Sequence, residues 1–449
     1  MRLGAALDQN AFDAALAALG PFEAAPLLAV GWSGGGDSTA LLSLAESFAR
    51  GHGGRVVALH VDHGLRAESA AQAQELAKRA AVLGIAFEAL AWTGPKPAHG
   101  VPQAARAARR DLLVEACRRL GAIHLLLAHN ADDQRETVAM RAARQSGPVG
   151  LAGMSAIVAD RAVRILRPLL GVAHADLLAL CRARELHWLE DPTNRDPRFL
   201  RARLRLAGSL PEFSGAASRT RVQHERDLAR LAARSVAVAP GGYLRLDCAV
   251  LRAADGRLAH GVLARAVLCV GGDDYAPSPA ALADAWAALA TAEPGKGGRT
   301  LGHCRLRIEP DGRLLVAREP RACQAALPLE PGKTVFWDGR FAAMCSAVGC
   351  TATGLAIGAL GAHGWAQLPR KLRASVAKSI PAAARAGLPT IRDLDGVLAV
   401  PHLSYGREGH RLDTVAVRFW PRHALCGPAF VAGGLGSPGP QRRLEGAKS

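Results

Sequence analysis

Val30-Gly31-Trp32-Ser33-Gly34-Gly35-Gly36-Asp37-Ser38 decides the fold. An apolar run, Pro26-Leu27-Leu28-Ala29-Val30, leads into it, and Thr39-Ala40-Leu41-Leu42-Ser43-Leu44-Ala45 leaves it with apolar residues at helical spacing. The order is strand, bare loop, helix. Consecutive glycines cost conformational entropy and mark a loop that needs positive φ or close approach of another group. Backbone amides ahead of a helix N-terminus form an anion-holding concavity, so the expected group is phosphate. Ser33 and Ser38 add hydroxyl donors, and Asp37 is placed to hold a Mg²⁺ ion that in turn holds phosphate. The plain alternative is a flexible turn with Asp37 as helix N-cap. No Gly-Lys-Ser/Thr follows, which excludes a Walker A loop, and the glycines are not spread over six positions as in a dinucleotide fingerprint.

Outward from the loop, Asp8 to Leu19 reads as a helix capped by Asp8. Val56 to Val61 is a short apolar strand ending in Asp62-His63-Gly64-Leu65-Arg66. Ala67 to Gly84 reads as a helix, Ile85 to Ala91 as a strand, and Pro102 to Leu120 as a helix bearing Arg106, Arg109 and Arg110. Of these, Arg110 reads as a solvated residue. A fourth strand, Ala122 to Ala128, runs into His129-Asn130-Ala131-Asp132-Asp133-Gln134-Arg135-Glu136-Thr137. Asp132, Asp133 and Glu136 would repel one another unless a cation or an ammonium group shares the site. Acidic residues in a helix's first turn are the rival explanation, which covers Asp132 or Asp133 but hardly all three. Strands alternating with helices predict an α/β fold, a doubly wound parallel sheet with right-handed crossovers whose first and fourth loops meet at a switch point.

With 449 residues, two or three domains are expected. The 56 Lys+Arg against 39 Asp+Glu give a net charge of +17, which suits a polyanionic partner such as nucleic acid. The nine cysteines read as reduced core thiols, and Cys345 and Cys350 lack companions at zinc-ligand spacing. No run approaches membrane-spanning length and no basic n-region with an apolar stretch opens the chain, so the cytoplasm is the expected location and no membrane the expectation. The expected domains are 1–206 with the loop, a mainly helical 207–323, a small α+β module at 324–432, and a disordered tail at 433–449. The α/β domain is expected to carry the chemistry.

Seven segments follow in one order: Ser33 to Ser38, His60 to Arg66, Ala105-Arg106, His129 to Thr137, the spaced glycines Gly147, Gly150 and Gly153, Arg167-Pro168-Leu169-Leu170, and Glu190-Asp191-Pro192-Thr193-Asn194. Together they resemble the bacterial tRNA(Ile)-lysidine synthetase family, whose Ser-Gly-Gly-x-Asp-Ser loop belongs to the PP-loop ATP pyrophosphatases. The likeness is dense over residues 25–206 and loose beyond, through Trp337 to Phe341 and a basic final module. It implies ATP-dependent coupling of free L-lysine to C2 of the wobble cytidine in a CAU-anticodon isoleucine tRNA, through an adenylated cytidine, with AMP and pyrophosphate leaving. It further implies ATP at Ser33, Gly34, Gly35, Gly36, Asp37 and Ser38, with Mg²⁺ on Asp37. Asp133 and Glu136 would position lysine and handle its proton, Asp132 would support them, and Arg106 would neutralise phosphate or the activated base. Arg201, Arg203 and Arg205, with Arg370, Lys371 and Arg373, would meet the tRNA. A homodimer stays open. A tRNA-thiolating PP-loop enzyme and an inactive tRNA-binding paralogue are the alternatives. Family members commonly have Arg-Tyr where this chain has Arg109-Arg110, and Pro148 and Trp32 are further departures.

Overall fold

The computed structural model describes residues 7–64, 69–93, 96, 101–143, 149–190, 215–273, 275–346, 354–408, 415–428 and 430–432. Arg201, Arg203, Arg205, Gly147, Pro148, Cys350 and the tail 433–449 lie outside them. The chain forms two compact units, 1–225 with 428–449, and 226–427.

In the first unit α1 (Gln9–Ala17) starts at Asp8, whose carboxylate accepts from the Ala11 amide at 2.8 Å. Then follow β1 (Leu27–Gly31), α2 (Gly36–Gly51), β2 (Arg55–Asp62), α3 (Ser69–Val82), β3 (Ala86–Ala91), α4 (Val101–Leu120), β4 (His124–Leu126), α5 (Ala131–Ala143), β5 (Ile157–Asp160), β6 (Val163–Leu166) and α6 (His174–Ala183). The sheet runs β3-β2-β1-β4-β6-β5, parallel except for β5. Val30 of β1 sits between Ala58 and Leu126. Because strand side chains alternate, Leu28 and Val30 join a core with α2 residues Leu41, Leu44 and Phe48, while Ala29 joins Leu113, Val114 and Cys117 of α4 on the other face. Burying each such leucine contributes about 1.5–3 kcal/mol. The strand order reverses between β1 and β4, and a ligand crevice forms at such a reversal beyond the carboxyl ends of the strands.

Two four-residue strands, β5 and β6, extend the sheet beyond the four expected. They correct the reading of Arg110: its Nε lies 3.2 Å from Oδ2 of Asp160, a nearly buried carboxylate at the end of β5. A buried charge needs such a partner, and the edge strand that supplies it carries too short a pattern to read in advance. At the chain's far end, the Ala156 amide donates to the Val431 carbonyl at 2.8 Å, so residues 430–432 pack with this unit.

The second unit has a five-stranded antiparallel sheet in which the strands Cys304–Ile308 and Leu314–Arg318 form the hairpin expected around Pro310-Asp311-Gly312-Arg313. The helices Gly256–Gly271 and Pro279–Ala290 share its core. Trp337-Asp338-Gly339-Arg340-Phe341 makes a hairpin turn between Thr334–Trp337 and Phe341–Cys345, with φ of +59° at Asp338 and +64° at Gly339. Asp338 is buried between two guanidinium groups, Arg318 Nη2 at 2.9 Å and Arg340 Nη2 at 2.6 Å. Among the described residues no helix is long and apolar enough to cross a membrane.

Candidate active site

The three glycines of the loop answer three different needs. Gly34 has φ of +88° and lies against Leu76 and Leu189. Gly36 is bare because a Cβ would lie 2.4 Å from a Leu178 methyl of α6. At Gly35 a Cβ would meet only Ser33 Oγ, at 3.6 Å, which leaves this backbone open to a ligand. The Ser38 hydroxyl donates to the Gly35 carbonyl at 2.9 Å and accepts from the Ser33 amide at 3.2 Å, so it clasps the loop. Ser33 is exposed, with its hydroxyl 3.0 Å from that of Ser38. The N-cap of α2 is Gly35, which places Asp37 in the first turn instead of at the cap. Helix geometry aims the amides of Gly36, Asp37 and Ser38 out of the N-terminus, where they favour an anion.

Asp37 is joined to the acidic cluster. Asn130, immediately before α5, donates from Nδ2 to Asp37 Oδ2 at 3.0 Å. Its own Oδ1 accepts from the Asp133 amide at 3.0 Å, and its amide donates to Asp133 Oδ2 at 3.1 Å. This is a reciprocal cap of the capping-box kind. His174, the first residue of α6, donates from Nδ1 to Asp37 Oδ1 at 2.7 Å, and its backbone amide donates to Asp132 Oδ2 at 2.8 Å. Arg135 takes the other Asp132 oxygen at 3.0 Å. First-turn capping thus accounts for part of what Asp132 and Asp133 do, while Glu136 is fully buried on the inner face of α5. Asn130 and His174 were missed as site residues. The Asn-x-x-Asp spacing at 130–133 was a local signal for the first, and nothing short of the fold signals the second.

Basic groups stand near the strand ends, Arg109 among them, close enough to act electrostatically on His60. Arg106 is exposed on α4 one turn before Arg109, whose guanidinium is destabilised first by burial and then by Arg106. His60 donates from Nδ1 to the Trp32 carbonyl at 3.0 Å, and burial pushes its pKa down. Trp32 is a core residue whose indole donates to Thr39 Oγ1 at 3.1 Å. Arg167, of the Arg-Pro-Leu-Leu stretch, donates from Nε to His129 Nδ1 at 3.2 Å, and burial lowers its pKa to about 10. Two of the spaced glycines approach α5: Arg141 donates to the carbonyls of Gly150 and Gly153, both at 2.8 Å, and Gln134 brackets the backbone of Met154. Cys181 lies beneath the loop, 3.5 Å from the Gly36 carbonyl, with its pKa pushed up to about 11 by burial. In the second unit Arg370 and Lys371 are exposed and Arg373 is half-buried on the helix Arg370–Ser379.

Sheet order, glycine loop and helix N-terminus define a PP-loop ATP-binding domain, and residues 8–208 match the PP-loop domain family. The tRNA(Ile)-lysidine synthase of Caulobacter vibrioides is 38% identical over 387 residues, 84% of this chain and 86% of its own. That of Ruegeria pomeroyi is 37% identical over 70% of this chain and 75% of its own. The Bradyrhizobium diazoefficiens protein of the same name is 44% identical over 47% of this chain, a match spanning 57% of that relative's length. The chain belongs to the tRNA(Ile)-lysidine synthase family.

Proposed function

We propose that this protein ligates L-lysine to C2 of the wobble cytidine of a CAU-anticodon isoleucine tRNA, converting ATP to AMP and pyrophosphate in the cytoplasm. The supporting observation is the pair of contacts through Asn130, which ties the glycine loop at Asp37 to the acidic cluster at Asp133.

The chemistry needs both halves. A C2 carbonyl is a poor electrophile, so its oxygen first attacks the α-phosphate in line and pyrophosphate leaves. The amides at the start of α2 and the Ser33 hydroxyl would hold the departing pyrophosphate. Asp37 fits Mg²⁺: each of its oxygens takes one side-chain donor and carries a second lone pair, and a single carboxylate plus phosphate oxygens is a usual donor set for that ion. Bound there, Mg²⁺ would neutralise phosphate charge. Lysine arrives as an ammonium and attacks only as a neutral amine, so a carboxylate must accept a proton. We assign that step to Asp133 or Glu136, with Asp132, tied to Arg135 and to the His174 amide, bracing α5. The amine nitrogen then bonds to C2, the C2–O bond breaks, and AMP leaves with the oxygen. Arg106 would neutralise the phosphate or the activated base. Residues 207–432 would grip the tRNA, with Arg370, Lys371 and Arg373 on its backbone and Arg201, Arg203 and Arg205 closer to the catalytic part.

Thiolation would need a reactive cysteine near the loop. Burial holds Cys181 as a thiol, and Cys117 more so, its pKa pushed up to about 12. Purified protein with ATP, radiolabelled lysine and CAU-anticodon isoleucine tRNA is expected to put label into the tRNA with release of AMP. No incorporation under those conditions overturns the proposal.

A further inference from the structure

Asp37 receives two side-chain donors from two different elements: Asn130 Nδ2, at 3.0 Å, from the start of α5, and His174 Nδ1, at 2.7 Å, from the start of α6. Each donor is in turn anchored to a different carboxylate of the acidic cluster, Asn130 to Asp133 and His174, through its amide, to Asp132. Asn130 is only 2% exposed, so its amide orientation is fixed by these contacts and not by water. The Asp37 carboxylate therefore has one orientation, and that orientation depends on where the starts of α5 and α6 stand.

We propose that Asn130 and His174 are positioning residues that hold Asp37 between the nucleotide and lysine subsites, so that filling either subsite is felt at the other. The proposal rests on the lysine-ligase reading and adds to it a route of coupling. A ligand drawn to Asp133 or Asp132 loads the cap of α5 or the start of α6, and both movements reach Asp37 within one side chain. A cation drawing on Asp37 pulls the same two donors in the opposite direction. The coupling is reciprocal, as any linkage between two binding events must be.

The test uses the full-length protein and three variants. Asn130→Ser keeps a capping oxygen for the Asp133 amide but loses the donor to Asp37. His174→Ala loses the second donor, and His174→Gln restores an N–H of similar reach. Asn130→Ser and His174→Ala are each expected to raise KM for ATP about tenfold, with a thermal midpoint shifted by no more than about 2 °C. Saturating lysine is expected to lower the wild-type KM for ATP by at least about threefold and to leave that of either variant unchanged. His174→Gln is expected to recover to within about threefold of wild type. Wild-type-like KM values and lysine dependence in both Asn130→Ser and His174→Ala would overturn the proposal, as would a loss in His174→Ala that glutamine does not repair. If the wild type incorporates no lysine, the ligase reading fails by itself. Calorimetric titration of ATP with Mg²⁺ then decides the clamp: weakening of about tenfold in either variant upholds the Asp37 contacts, and unchanged affinity overturns them.

Discussion

A methyl group added at Gly35 would enter open space beside Ser33, whereas one added at Gly34 would demand a left-handed backbone and press Leu76 Cδ2 at 3.0 Å. Gly34→Ala is therefore expected to cost about 1–3 kcal/mol of stability, measured by chemical denaturation. Gly35→Ala should stay within about 0.5 kcal/mol of wild type yet raise KM for ATP if, as proposed, phosphate approaches this backbone. A destabilised Gly35→Ala with normal KM would reverse the assignment. At this scale the sequence showed that the loop is bare but not why each glycine is needed, since one serves φ, one a helix contact and one leaves open space. Asp37 and Asp133 were legible as charges in loops at strand ends. Their bridge was not, because Asn130 and His174 lie 44 residues apart in sequence and meet only when α5 and α6 start beside α2.

Among the elements, β1, β2, α2 and α4 announce themselves through apolar runs or helical periodicity long enough to outvote chance. β5 and β6 do not: at four residues each they are held by the sheet they extend, with Arg110 and Asp160 closing the edge. The buried ends of β2 and β4 carry His60 and His124, both with pKa values pushed below the ordinary 6.5, first of all by burial. His124 lies 2.8 Å from Glu23 as a hydrogen-bonded neutral ring, because desolvation outweighs that carboxylate's pull. The sign follows from linkage. Below pH 6.5 the unfolded chain takes up protons that the folded chain refuses, so stability is full above 6.5 and falls as pH drops toward the lowered folded values. The thermal midpoint is expected to decline from pH 7 to pH 5.5, and to decline less in His124→Gln. A flat or rising midpoint across that window would contradict the assignment.

For the molecule as a whole, the charge of +17 pointed to a polyanionic partner but gave no address, and Arg201, Arg203 and Arg205 lie outside the described residues. If tRNA phosphates are contacted along 207–432 as proposed, log affinity should fall linearly with log salt. For six or more phosphates that means a loss of about a thousandfold between 50 and 200 mM. A filter-binding series with a flat response would remove the basic surface from the account. The division at residue 225 and the return of residues 430–432 to the first unit were not legible, because a chain crossing between units leaves no periodic trace.

The most direct measurement is lysine-dependent AMP formation by Asp37→Asn beside its affinity for tRNA. The side chain keeps its size and loses the charge that the two donors share and that the proposal gives to Mg²⁺, so turnover is expected to fall by about a hundredfold or more while the Kd for tRNA stays within about threefold of wild type. Retained turnover, or an equal loss of turnover and tRNA affinity, would contradict a single crevice in which nucleotide and amino acid converge on one base.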